Sequence, residues 1–385
     1  MGSRDTILES SLPESVHLET CRTASQWRLF ERVPEILHGE DTSFVPPFPG
    51  QVMKLRSPQH PFQREGSLRA YLALSGGRIA GRVASIVNRT HNEFHGDRTG
   101  FFGFFDFTDA EVACRLIEQV RADMGEAGLN PLRGPFNPTQ NDECGLQVEG
   151  FSGPPYFGMP YNPPYYVGVY EEIGLEGVRD MLAYYVDPAL EETFRKRLGG
   201  LAARIRKRLA ITVRPANMAR VAEECVLVSH LFNESLSEEW NFMPLSSEAA
   251  LEFTHDLLGH LDPEAILIAE ADGRPIGFSI VLPNVNEFLA GASRFPRWLR
   301  WPLLLLLLKT RISREGRWAA FAMLPEYRRR GGTALLVYEA ITRAKTRYAS
   351  GELSWTQDIN DDVNGLATQL GLVPYKRYRI YQVVV

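Results

Sequence analysis

The sequence predicts a mixed α/β protein made of two copies of one domain, the first degenerate and the second intact. Three observations carry this. Residues 70–88 and 266–284 are two versions of one hairpin phrase, 196 residues apart. Each is followed by a strand-like run, a helix and a further short strand. Only the second copy places glycines between that strand and its helix. Self-similarity at a fixed offset points to duplication of a whole unit.

The 385 residues amount to two or three domains at about 150 each. With 44% hydrophobic and 23% charged residues, the chain has the balance of a globular protein, not a disordered one. A net charge of −5 excludes a generic nucleic-acid binder, so any basic surface must be local. Cys21, Cys114, Cys144 and Cys225 are widely spaced and form no C-x-x-C. A thiolate zinc site and a disulfide framework both fit poorly, and a reducing, cytoplasmic setting is expected. Met1 to Thr6 leads into no apolar signal-like run, although it matches the short myristoylation pattern, which recurs by chance. The longest apolar run, Trp301 to Leu308, falls short of the about 20 residues that span a bilayer.

In the first copy, apolar β-prone runs flank Gly76-Gly77, a hairpin turn signal. A strand from Gly100 to Phe107 follows. A helix from about Asp109 to Glu126 comes next, with Asp109 as N-cap and Val112, Leu116, Ile117 and Val120 at helical spacing. A short strand is expected near Leu132. In the second copy the hairpin turns at Asp272-Gly273. After an insertion come a strand Trp318–Leu324, a helix from about Thr333 to Tyr348 and a strand around Glu352–Gln357. Each copy thus reads hairpin, strand, helix, strand, with one parallel crossover. Residues 1–190 form the expected first domain and 211–385 the second. Between them, 191–210 is a basic linker helix, with seven basic residues between Thr193 and Leu209 and no acid. It is either a solvated face or a contact for an anion.

Arg329, Arg330, Gly331, Gly332, Thr333 and Ala334 join the strand to the helix, and Arg329-x-x-Gly332-x-Ala334 reads R-x-x-G-x-A. Small residues let successive N–H groups point into one concavity while the helix presents its positive end, which makes a pyrophosphate cradle. The first copy runs Thr108-Asp109-Ala110-Glu111 into its helix, with two acids and no glycine, and is expected to repel phosphate.

These residues resemble the GNAT acyltransferase superfamily in a tandem arrangement, most fully over 211–385. The resemblance implies that Arg329–Ala334 hold the pyrophosphate of acyl-coenzyme A. It also implies that backbone amides near Met323 and Leu324, at splayed central strands, polarise the thioester carbonyl. Asn360 and Gly371 keep the family's spacing, but Ala367 stands where the family often has a Tyr that protonates the leaving thiolate. The acid is then another group, or water, or the step needs none; Tyr378 and Tyr375 lie close in sequence. A last strand pair ending at Tyr381 completes the family order.

The insertion 293–317 combines Trp298, Leu299, Trp301 and six leucines with seven basic residues and one acid, Glu315. It reads either as a buried helix with a basic edge or as an interfacial segment. Three more phrases, Phe101 to Asp106, Pro160 to Tyr166 and Trp240 to Pro244, make the chain similar to the bacterial ceramide synthase type. That resemblance implies transfer of a fatty acyl group from acyl-coenzyme A to the amine of a sphingoid base or similar amphipathic amine. The partners are then a fatty acyl-CoA, the amine and the inner-membrane surface, with no metal and no nucleic acid. Alternatives are an aminoacyl-tRNA-dependent transferase, a small-amine N-acetyltransferase and a non-catalytic lipid-binding protein. The amine must lose a proton, for which Glu287 and Glu239 are the candidate bases. His91 and His95, four apart, could share a metal if helical, but no third ligand is evident.

Overall fold

A computed structural model describes residues 16–257, 261–310 and 313–385. The myristoylation-like start and Arg311 lie outside the described residues, as do the side chains of Arg297 and Trp301. The first half comprises β1 (His17–Thr20), α1 (Ala24–His38), α2 (Gln51–Leu55), α3 (Phe62–Glu65), the hairpin β2 (Gly66–Ser75) and β3 (Arg78–Asn88), and α4 (Arg89–His95). It continues with β4 (Gly100–Phe107), α5 (Ala110–Glu126), β5 (Leu132–Gly134), β6 (Phe136–Asn137), β7 (Glu143–Cys144), β8 (Leu146–Glu149), α6 (Tyr166–Glu172) and β9 (Glu176–Val186). A Thr23/Gln26 capping box starts α1. The Asp109 carboxylate accepts the Val112 N–H to start α5, whose Val112, Leu116, Ile117 and Val120 are all buried against the sheet.

Helix α7 (Pro188–Leu209) leads to β10 (Ile211–Pro215), α8 (Val221–Leu236), α9 (Ser247–Leu257) and the hairpin β11 (Ile266–Ala271) and β12 (Arg274–Pro283). The insertion folds as two helices, α10 (Asn286–Ser293) and α11 (Arg297–Thr310). Then come β13 (Glu315–Met323), α12 (Pro325–Arg328), α13 (Gly332–Ala344), β14 (Ser350–Gln357), α14 (Asp361–Gln369) and β15 (Pro374–Val383).

The duplication is visible in the hydrogen-bond register. Both hairpins slip at the same step, after Ala73 and after Ala269. Gly81 pairs with Phe107 as Gly277 pairs with Met323. The next amides, of Thr108 and Leu324, donate to Ala80 O and Ile276 O, both at 2.9 Å.

One sheet runs through both halves in the order β1-β2-β3-β4-β5-β15-β9-β14-β13-β12-β11-β10, with β8 on β15. The halves exchange strands: β15 pairs with β5, β8 and β9, and β9 pairs with β14. The expected C-terminal strand pair is therefore one strand, β15, whose neighbours come from the first half. Sequence periodicity fixes which residues form a strand but not which strands lie beside it, so the exchange left no local signal.

Candidate active site

Strands β13 and β14 run parallel from Glu315/Ser350 to Trp318/Leu353, and there the pairing ends. Yet β13 continues to Met323 and β14 to Gln357. A register shift opposite Ile280 and Val281 adds a residue to β13 at the point of parting, which bends it away. Beyond Trp318 the β14-facing edge of β13 has no strand partner among the described residues. Its outward amides have no ladder acceptor there, and fixed donors of this kind are able to stabilise an oxyanion.

The split opens into a cavity of about 640 Å³, walled by both halves. Phe48, Phe157, Phe253, Leu282, Leu289 and Trp355 give it an apolar lining. The Pro160 to Tyr166 phrase also reaches this wall, through Tyr161, Asn162 and Tyr166, as do Phe104 to Asp106 and Phe242 to Pro244. A gap of about 30 Å³ between β13, β14, α13 and α14 shares Trp318, Phe321, Leu353 and Val363 with the cavity. Ala367 lies in this gap.

At the start of α13, Gly331 is left-handed (φ 93°) and no side chain caps the helix. The first amides of a helix have no intrahelical acceptor, so those of Gly332, Thr333 and Ala334 face outward. A Cβ on Gly332 would stand 2.9 Å from Tyr327 O. Arg329 and Arg330 are exposed beside the turn. Arg328 instead turns inward and donates to Ser235 O at 2.7 Å. Of the two amides implied near the split, that of Leu324 is engaged by Ile276 O, which removes it as a free donor. Met323 is paired with Gly277 at the far end of the same ladder. The free edge lies earlier, from Ala319 to Ala322.

The three candidate acid–base residues separate. Glu239 lines the cavity; Asn360, the N-cap of α14, donates to it at 3.2 Å. Burial raises the Glu239 pKa against the lowering charge of Arg328. Glu287 does not line the cavity: it is exposed and bonded at Ser313 and the Arg314 amide, so it is withdrawn as base. Its neighbour Asn286 faces inward. Tyr378 is fully buried in the core with Met181 and Cys144 and is not on the cavity wall, so it cannot reach a thiolate there. The Tyr375 hydroxyl donates to the buried Glu352.

Two carboxylates that sequence reasoning missed, Asp142 and Glu143, project into the cavity from the β6–β7 turn. Asp142 is exposed and Glu143 half-buried at this wall, although both are ringed by protein atoms. Burial pushes Asp142 up to about 6, although Thr139 donates to it from both N–H and hydroxyl. Glu143 is pushed up to about 7 by burial, against the Asn137 amide and the charges of Arg82 and Arg317. Arg317 itself crosses the split, donating to Ser354 Oγ at 2.9 Å and to Phe157 O at 3.0 Å. It therefore leaves the basic group of the insertion. The phrase Asn-Asp-Glu-Cys follows a loop in the degenerate copy, and no spacing rule marks it.

In the first half, β4 and β5 also part early, after Phe101/Arg133. That opening is filled: the Phe104 N–H donates to Asn137 Oδ1 at 2.6 Å, and Asp109 occupies the N-terminus of α5. His91 and His95 are on α4 with their rings tilted against each other at 4.3 Å, but they brace the 240–243 loop. His91 Nε2 meets Asn241 Oδ1 at 3.1 Å and His95 Nε2 meets Phe242 O at 2.7 Å. Trp240 lies between the guanidinium groups of Arg133 and Arg179.

The Acetyltransferase (GNAT) family matches residues 228–372. Over 364 residues the chain is 32% identical to Protein YghO of Escherichia coli, covering 92% of each. It is 25% identical to the bacterial ceramide synthase of Caulobacter vibrioides over 372 residues, 94% of this chain and 95% of that one. Among solved structures, a tandem GNAT protein from the clavulanic acid biosynthesis pathway superposes with a TM-score of 0.56 at 12% identity, covering 96% of this chain and 98% of the other. That likeness is one of fold.

Proposed function

Because the chain belongs to the GNAT acyltransferase family, with its domains in tandem, we propose that it is an acyl-CoA-dependent N-acyltransferase. It moves a long-chain fatty acyl group to the amine of a sphingoid base or similar amphipathic amine. One observation carries this reading: the split between β13 and β14 opens on a large, mainly apolar cavity whose wall includes Glu239, Asp142 and Glu143. A small hydrophilic amine needs no such volume, which lies in the range of about 300–1,000 Å³ typical for drug-sized ligands. The similarity to a bacterial ceramide synthase supports a sphingoid acceptor.

In this reading the free amides at Gly332, Thr333 and Ala334 hold the donor's pyrophosphate, and the β13 edge holds the thioester carbonyl. Glu239, fixed by Asn360, binds the acceptor's ammonium. Glu143 takes one proton from it, the amine nitrogen attacks the carbonyl carbon, and the nitrogen of the tetrahedral adduct gives its second proton to solvent. The C–S bond breaks, and the thiolate takes up a proton from solvent, because Ala367 offers none. Residues 1–190 serve as the acceptor half and 211–385 as the donor half, joined by the 191–210 linker.

The test is thiol release from palmitoyl-CoA with and without sphinganine, with the product identified by mass spectrometry. Amine-dependent release and an N-palmitoyl product are expected, unchanged after RNase treatment. Loss of activity on RNase treatment would indicate the aminoacyl-tRNA reading, and binding without thiol release a lipid-binding protein.

Access from a membrane surface follows from the insertion. Leu304 and Leu308 of α11 pack on Phe157, Leu282 and Leu289 of the cavity wall. Its other face leaves Trp298 78% and Leu306 56% exposed, with Arg294, Lys309 and Arg314 beside them. Among the described residues no helix is long and apolar enough to cross a membrane. Such a face suits shallow insertion among anionic headgroups. Trp298→Glu/Leu306→Glu is expected to lower binding to phosphatidylglycerol vesicles by about tenfold or more in co-sedimentation. Donor binding should be unchanged. Equal sedimentation of wild type and variant would refute this contact.

A further inference from the structure

The basic helix α7 ends against the turn that precedes α13. A Cβ on Gly331 would stand 2.9 Å from Ile205 Cδ1, and Arg208 Nη2 donates to Arg330 O at 2.6 Å. Of its seven basic residues, Arg195 is half-buried near the start of the helix, and the other six divide into two groups. Lys196 pairs with Glu192, Arg197 donates to Gln369 O, and Arg206 pairs with Glu339. These three serve the fold.

Arg204 and Lys207 are exposed and make no ion pair among the described residues, and Arg208 is anchored only through a backbone carbonyl. Arg204 and Arg208 are four apart, so they share the helix face that carries the Arg330 contact. Across the turn stand exposed Arg329 and Arg330. Glu339, the acid that Arg206 reaches from this end of α7, is also held by Arg343. In a chain of net charge −5, this is a concentrated basic patch, and it adjoins the start of α13, where no side chain caps the helix.

We propose that Arg204, Lys207 and Arg208 form a second anion site that holds the 3′-phosphate on the ribose of coenzyme A. The proposal rests on the donor reading above and extends it to a part of the donor that the cradle does not touch. A pyrophosphate on the first amides of α13 leaves the adenosine end outside the cradle, on the solvent side, with a separate phosphate that is dianionic near neutral pH. Guanidinium groups suit such a phosphate because their N–H donors match two of its oxygens at once, and Lys207 adds a point charge. The linker between the duplicated domains thereby acts as part of the donor site, and it is positioned there by Ile205 and the Arg208–Arg330 bond.

The test compares CoA with 3′-dephospho-CoA by isothermal titration. Wild type is expected to bind CoA about tenfold or more tighter, in keeping with charged hydrogen bonds to one phosphate. In Arg204→Ala/Lys207→Ala/Arg208→Ala that preference should fall to about twofold or less, while 3′-dephospho-CoA binds about as it does to wild type. An unchanged preference in the triple variant overturns the proposal. Equal weakening toward both ligands also overturns it, since the residues would then act on the pyrophosphate or on the fold. Loss of vesicle binding with the CoA preference intact assigns the patch to lipid instead. Wild type that binds neither ligand overturns the donor reading, and this site with it.

Discussion

Thr333→Glu is expected to weaken palmitoyl-CoA binding at least about 100-fold while leaving the fold intact. Glutamate in the first turn of a helix interacts favourably with its positive end, so α13 should not suffer. The same carboxylate occupies the field, and the amides, that a pyrophosphate would use. Like charges then meet where opposite charges are required. The first half already contains the natural version of this experiment, since Asp109 caps α5 and Glu111 follows it in the first turn. Gly332→Glu should have the same effect by two routes, because its Cβ also meets Tyr327 O at 2.9 Å. Circular dichroism separates them: Thr333→Glu should melt like wild type and Gly332→Glu earlier. Undiminished titration of Thr333→Glu with palmitoyl-CoA would remove the cradle from the donor site.

Glu143→Gln is expected to lower kcat by about 10²–10³, the usual contribution of a placed general base. Its carboxyl is pushed up to about 7 by burial. Below that value the group is protonated and cannot accept the amine's proton, so wild-type kcat should fall as pH drops through about 7. In the variant that limb should vanish, with palmitoyl-CoA affinity preserved. Glu239→Gln should act differently, raising KM for the amine about tenfold with a smaller change in kcat, since one charged hydrogen bond is lost. If Glu143→Gln keeps both the rate and the acid limb, the proton goes elsewhere, and Glu239 becomes the group to examine.

How far the sequence reached depended on whether the signal was local. The two hairpins, α5 with its Asp109 cap and the glycine turn before α13 are all written in neighbouring residues, and each lies where expected. Strand partners were not legible, because β15 and β9 are exchanged between halves, and that depends on the packing of distant segments. Within the site the same division holds. Glu239 reaches the cavity because it adjoins an aromatic phrase that lines it, whereas Glu287 misses it by one helical position, with Asn286 facing in instead. Tyr378 was chosen by closeness in sequence to Gly371, and strand alternation buries it in the core. Glu143 and Asp142 belong to the half judged inert, and nothing in their spacing reveals that they line a cavity shared with the other half. The copy with Asp109 in place of the glycine turn still supplies part of the cavity wall.

Hydrogen–deuterium exchange with and without a non-hydrolysable thioether analogue of palmitoyl-CoA bears most directly on the donor site. Occupied amides should slow at Gly331–Leu335 and along Ala319–Ala322, while Thr108–Ala113 of the first copy should exchange as before. Protection at Thr108–Ala113, or none at Gly331–Leu335, would contradict a donor held at the β13–β14 split.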